Sequence, residues 1–222
     1  MKPKRKTILA VSIAILVITL SLIVVVISEN RAGNADDKLI RVACLGDSIT
    51  QITNYPADLQ TLLGNNTIVG DFGVSGSTVD FNTSKPYLFQ EQFRQARSFL
   101  PTVVIIMLGT NDARTDNYKQ INNFVADYER MISIIENFTS KPQIFIVEPP
   151  PIYNNTLNLN GTDFAQGVIP RIQQVAKAMN LPLINVYKPL LNHPEYFPDG
   201  VHPNNEGAQV IANIIHKALK SS

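Results

Sequence analysis

The sequence has no tryptophan, a single cysteine and only three histidines. With Cys44 alone, neither an internal disulfide nor a cysteine-built metal site can form. His193, His202 and His216 are not spaced as metal ligands, so no metal or other cofactor is expected. An excess of charge is also missing, with 19 basic residues against 18 acidic ones. Without Lys2, Lys4, Arg5 and Lys6, 15 basic residues face 18 acidic ones, which excludes a nucleic-acid surface. No internal repeat is present.

Charge is entirely absent from Ile8 to Ile27. A helix rising about 1.5 Å per residue over such a stretch spans roughly 30 Å, the thickness of a bilayer core. The stretch is longer than a signal-peptide apolar region, and Ile27-Ser28-Glu29-Asn30-Arg31 has no small-x-small cleavage pattern. The expectation is therefore a retained anchor at 7–28, a basic cytoplasmic segment at 1–6 and a flexible linker at 29–38. A single domain at 39–222 would lie on the extracytoplasmic side, because the basic residues cluster before the span. Asn65, Asn82, Asn137, Asn154 and Asn160 each begin an Asn-x-Ser/Thr triplet, which suits that side but also arises by chance in an Asn-rich chain.

Beyond the linker, short apolar runs alternate with helical patterns. Strands are predicted at 39–45, 67–71, 103–108, 143–147 and 183–186, with helices at 57–63, 88–99, 121–136, 165–179 and Asn205–Lys220. The continuously apolar run at 103–108 fits a strand covered on both faces. Such alternation predicts an α/β domain with a five-stranded parallel sheet, and chemistry is then sought where strands turn into helices.

Four turns carry suitable residues. In Cys44-Leu45-Gly46-Asp47-Ser48, a serine directly after a strand can present its hydroxyl and its own N–H, although Asp47 and Ser48 also suit a helix cap. Gly73 in Asp71-Phe72-Gly73-Val74-Ser75-Gly76 can offer a backbone N–H to an oxyanion. Asn111 in Gly109-Thr110-Asn111-Asp112 can offer a side-chain N–H to the same point. In Pro198-Asp199-Gly200-Val201-His202-Pro203, Asp199 can fold back onto the imidazole and leave its other nitrogen for Ser48. His193 and His216 lack such a partner and are read as structural.

These four blocks, in this order over about residues 39–220, resemble the SGNH (GDSL-like) hydrolase family. The resemblance implies a flavodoxin-like three-layer α/β/α domain with Ser48 as nucleophile, His202 as base and Asp199 as its orienting acid. It implies an oxyanion hole built from the Ser48 N–H, the Gly73 N–H and the Asn111 side chain, with Asp47, Gly109 and Asp112 supporting. Pro149-Pro150-Pro151, together with the second, third and last blocks, is similar to carbohydrate-active esterases related to sialate O-acetylesterases. Family members often carry Asn where this chain has Asp71, a change that bears on the local turn and not on the triad.

The function expected is a serine esterase acting on carboxylic, O-acetyl esters of small molecules or glycans. The competing expectations are a lysophospholipase or acyl thioesterase acting beside the membrane, and a non-catalytic binding module on the same fold.

Overall fold

Five apolar segments pair side by side in parallel because each is followed by a connection long enough to return the chain to the same edge. The computed structural model describes residues 39–221. The basic segment, the anchor and the linker expected at 1–38 lie outside the described residues. The strands are β1 (Ile40–Gly46), β2 (Thr67–Gly73), β3 (Val103–Met107), β4 (Gln143–Glu148) and β5 (Leu183–Asn185). Their spatial order is β2-β1-β3-β4-β5, all parallel. The main helices are α1 (Ser48–Ile52), α2 (Tyr55–Leu63), α3 (Glu91–Ser98), α4 (Phe124–Glu136), α5 (Ile169–Ala178) and α6 (Asn205–Lys220).

Successive residues of a strand point to opposite faces, and the core divides accordingly. Ala43, Leu45, Val104, Ile106 and Ile146 pack against α3, α4 and α5 through residues such as Phe93, Met131 and Ile172. Val42, Cys44, Ile105, Met107 and Val147 face the other way, against α2 and α6 through Tyr55, Leu59, Ile211 and Ile215. The sheet is therefore the middle of three layers, as expected. Cys44 is fully buried and packs as a small apolar residue, and burial pushes its thiol well above the ordinary range.

All five expected strands form, with different ends. β2 runs two residues past its expected end because Gly73 pairs in register with Gly46. α1 follows the turn at Asp47 but shows no helical period of its own, since five residues are too few for one. α6 has the expected bounds because its signals agree: the Asn204 side chain accepts the Gly207 N–H at 2.9 Å, and Ala208, Ile211, Ala212 and Ile215 form one buried stripe. The expected helices at 88–99, 121–136 and 165–179 begin instead with tighter or looser turns at Tyr87–Phe89, Tyr118–Asn123 and Phe164–Val168. Among the described residues no helix is long and apolar enough to cross a membrane.

The order of strands positions the site. From β1 the chain passes to β2 on one side, then crosses back to β3 on the other, so the loops leaving these strands part and open a crevice at their carboxyl ends.

Candidate active site

Ser48 is the first residue of α1, immediately beyond β1. Asp47 caps that helix, its Oδ1 accepting the Ile49 N–H at 2.9 Å, so the capping reading of this turn is correct for Asp47 and frees Ser48 for another role. The Ser48 Oγ lies 2.8 Å from His202 Nε2, across 154 residues of sequence. His202 Nδ1 lies 2.6 Å from Asp199 Oδ2. A carboxylate can only accept, so Nδ1 carries the proton and Nε2 is left to accept from the Ser48 hydroxyl.

Asp199 is held from its other oxygen. Oδ1 accepts the N–H groups of Val201 at 2.9 Å and His202 at 2.7 Å. Partial burial raises the Asp199 carboxyl, but the hydrogen bonds from His202 and Val201 outweigh it and leave it below its ordinary value. Asp199 is therefore ionised wherever the imidazole can act as a base. His193 instead pairs with Glu195 and stacks on Tyr196, and His216 lies within α6.

The oxyanion donors differ from expectation at one position. The Gly73 N–H is already committed, donating to Asp71 Oδ1 at 2.8 Å. Gly73 matters as a close approach: a Cβ there would lie 2.3 Å from the Gln51 nitrogen in α1. The cleft that exposes Ser48, Asn111 and His202 is lined by Gly76, not Gly73. No acceptor for the Gly76 N–H occurs among the described residues. Lys85 Nζ donates to the Ser75 carbonyl at 2.8 Å, and because the peptide is trans, the Gly76 N–H of that same peptide points the opposite way. Gln51 Oε1 accepts both the Ser75 N–H at 2.7 Å and the Ser75 hydroxyl at 2.6 Å, which ties this loop to the helix of Ser48.

The sequence does not single out Gly76, Lys85 or Gln51, because a β2 ending at Asp71 places the turn three residues too soon. The only available signal was the Ser75-Gly76-Ser77 triplet itself. Asp71 bears on the same turn: its carboxylate oxygen accepts the Gly73 N–H that an asparagine oxygen would accept, so the local bonding survives the exchange.

Asn111 is almost buried, and one of its amide hydrogens goes to the Ser77 carbonyl at 3.0 Å, leaving the second available. The Ser48 N–H opens a helix and has no carbonyl one turn back to receive it. Gly109 has φ +122°, a backbone state that L side chains resist, and its turn brings Asn111 to the cleft. Asp112 is buried and joins the second turn to the third, accepting the N–H groups of Val79 and Asp80 at 3.0 Å each. Burial pushes Asp112 up to about 7, against those hydrogen bonds. Burial likewise pushes Asp47 up to about 6, opposed by the Ile49 N–H.

The cleft has a volume of about 260 Å³, with Ile52 and Val201 on its walls and Arg114, Leu157 and Leu159 leading away. Beyond the three prolines, residues 152–155 and 158–162 line a neighbouring cavity. Among the described residues no group of three or more His, Cys, Asp or Glu side chains is placed to hold a metal ion. The arrangement can deprotonate a hydroxyl and stabilise a developing negative charge beside it.

The pattern of the GDSL-like lipase/acylhydrolase family matches residues 44–210. An acetylxylan esterase from Xylanibacter ruminicola is 33% identical over 207 residues, covering 82% of this chain and 43% of that protein. The chain thus spans less than half the length of this curated relative. A carbohydrate acetylesterase family member from Sinorhizobium meliloti is 19% identical, with a TM-score of 0.63 over 82% of this chain and 98% of that one. A GDSL-like lipase from Bacteroides thetaiotaomicron is 24% identical, with a TM-score of 0.65 over 87% of this chain and 95% of that one. These two structures share the fold with this chain.

Proposed function

The chain belongs to the GDSL-like lipase/acylhydrolase family, and from that premise we propose that it is a serine esterase removing O-acetyl groups from carbohydrates through Ser48, His202 and Asp199. The observation that carries the reading is the continuous relay from Asp199 through the imidazole to the Ser48 hydroxyl, at 2.6 and 2.8 Å. The acetyl and carbohydrate parts draw support from the acetylxylan esterase at 33% identity.

In the proposed reaction, His202 Nε2 takes the Ser48 proton as Oγ bonds to the ester carbonyl carbon. The carbonyl oxygen becomes an anion facing the Ser48 N–H, the Gly76 N–H and the free Asn111 amide hydrogen. When the tetrahedral species collapses, the protonated imidazole gives its proton to the departing sugar oxygen. Water then attacks the acetyl-serine, losing its proton to His202, and His202 returns that proton to the Ser48 oxygen as acetic acid leaves. Asp199 stays ionised and stabilises the imidazolium. Ser48→Ala is expected to lower 4-nitrophenyl acetate turnover by at least about 1000-fold without lowering thermal stability. A variant that kept its rate would remove Ser48 from the reaction.

Ile52 and Leu157 are 59% and 43% exposed at the cleft, which favours a second reading in which an acyl chain of a lipid ester lies across them. Rates on acetyl against octanoyl esters separate the two: a preference for octanoyl supports the lipid reading.

The charge-free stretch Ile8–Ile27 supports the further proposal that 7–28 is a retained single-pass anchor holding the catalytic domain outside the cytoplasm. The full chain should then resist alkaline extraction from membranes, and its domain should be digested by protease added to spheroplasts. Release by alkali counts against the anchor.

A further inference from the structure

We infer that a trough leading from Ser48 to an amide-lined cavity holds the carbohydrate chain that carries the ester, so that acetylated oligosaccharides are preferred over single sugars. This inference rests on the esterase reading above.

Three depressions adjoin along shared walls. The Ser48 cleft shares Arg114 and Leu157 with a second cavity of about 480 Å³. That cavity shares Thr115 and Asn158 with a third, of about 570 Å³. Leu159 lines both the Ser48 cleft and the third cavity, which closes the path. The combined space extends well past what an acetyl group and one leaving alcohol need.

The trough is built in advance of any ligand. Asn155 spends its whole side chain on the loop beneath it, donating to the Tyr153 and Leu159 carbonyls and accepting from the Leu157 and Leu159 N–H groups. The Asn160 N–H donates to the Ala113 carbonyl at 3.0 Å, and the Thr115 N–H and hydroxyl both donate to the Asn158 carbonyl. The Tyr153 N–H donates to the Gly200 carbonyl at 2.8 Å, so the same loop is fastened to the segment that carries Asp199 and His202.

What the trough offers outward identifies the ligand. The Asn154 and Asn158 amides and the Thr162 hydroxyl line it, and they have no side-chain partner among the described residues. Each amide presents two donors and an acceptor, the complement of neighbouring hydroxyls on a sugar ring. An acyl chain laid here would desolvate those groups and return nothing. Arg114 is engaged by both oxygens of Asp116, at 2.7 and 3.0 Å, so the trough's cation is already neutralised and an anionic ligand gains little. Leu157 and Ile152 supply apolar ledges for the C–H face of a ring. A neutral, polyhydroxylated chain satisfies all three features.

The test compares acetylated xylose with acetylated xylo-oligosaccharides of two to five units on the full chain, with 4-nitrophenyl acetate as a size-independent reference. In the wild type kcat/KM should rise by about tenfold from one unit to three, the equivalent of one or two good hydrogen bonds. In the double variant Asn154→Ala, Asn158→Gly, the ratio of kcat/KM for the trisaccharide to that for 4-nitrophenyl acetate should fall by about tenfold, mostly through KM. Glycine at 158 keeps the left-handed backbone, φ +59°, that asparagine adopts there. Equal rates on one and three units in the wild type, or an unchanged ratio in the variant, overturn the trough. A loss of octanoyl-ester turnover instead assigns it to an acyl chain and overturns it equally. Failure of the esterase reading has a different signature: no Ser48-dependent turnover of 4-nitrophenyl acetate at all.

Discussion

The carbonyl and N–H of one peptide point in opposite directions, and at Ser75–Gly76 the two ends meet different partners. The ammonium of Lys85 draws on the carbonyl at 2.8 Å, while Gly76, whose N–H points the opposite way, lines the cleft with Ser48. Polarising the carbonyl strengthens the N–H as a donor, so Lys85 acts on the proposed oxyanion through the backbone without touching it. Lys85→Met should lower kcat for 4-nitrophenyl acetate by about threefold to tenfold, less than the roughly 100-fold or greater loss of a whole donor, and leave KM nearly unchanged. Lys85 is exposed, so the deficit should shrink as salt weakens the wild-type interaction, and Lys85→Arg should restore part of the rate. An unchanged kcat in Lys85→Met would separate the ammonium from the chemistry.

At the scale of elements, α1 does two jobs. Its first residue presents the hydroxyl, and Gln51 in its last turn fixes the Ser75–Gly76 loop. The spacing between α1 and the end of β2 therefore sets the spacing between the proposed nucleophile and the proposed oxyanion donor. Gly73 determines that spacing, because a Cβ there would meet the backbone of Gln51 at 2.3 Å and nothing flexible could move aside. Gly73→Ala should cost about 1–3 kcal/mol of stability through overpacking. It should also lower kcat by roughly 100-fold, since a shift of about 1 Å at a reacting group is enough for that. Urea unfolding and steady-state rates on the same preparation test both, and a variant with wild-type kcat would show that α1 is positioned by something else.

Over the whole molecule, two buried carboxyls make folding depend on pH. Asp47 and Asp112 are raised by burial to about 6 and about 7, from an ordinary 3.8 in the unfolded chain. Between about pH 4 and 7 the folded state therefore holds more protons than the unfolded one, so these groups make stability fall as pH rises through that window. Asp199 works the other way, its depressed carboxyl adding stability that is lost only in stronger acid. Asp112→Asn stays neutral at every pH while its carbonyl can still accept the Val79 and Asp80 N–H groups. Urea unfolding at pH 5 and pH 8 should show a smaller difference in the variant than in the wild type; an equal difference would place the titration elsewhere. The five strands, the three-layer order and the candidate residues Ser48, Asn111, Asp199 and His202, which the fold brings together, were legible in the chain because local signals carry them: apolar period, glycine at turns, and an acid three residues before a histidine. Which glycine lines the cleft was not legible, because Gly73 and Gly76 differ only in where β2 stops, and register with β1 decides that. The trough was equally hidden, since Arg114, Leu157 and Asn158 meet only when the loops after β3 and β4 are hydrogen-bonded to each other. Local sequence sets what each segment can do, whereas pairing between distant segments decides which backbone groups remain unpaired and face a common space.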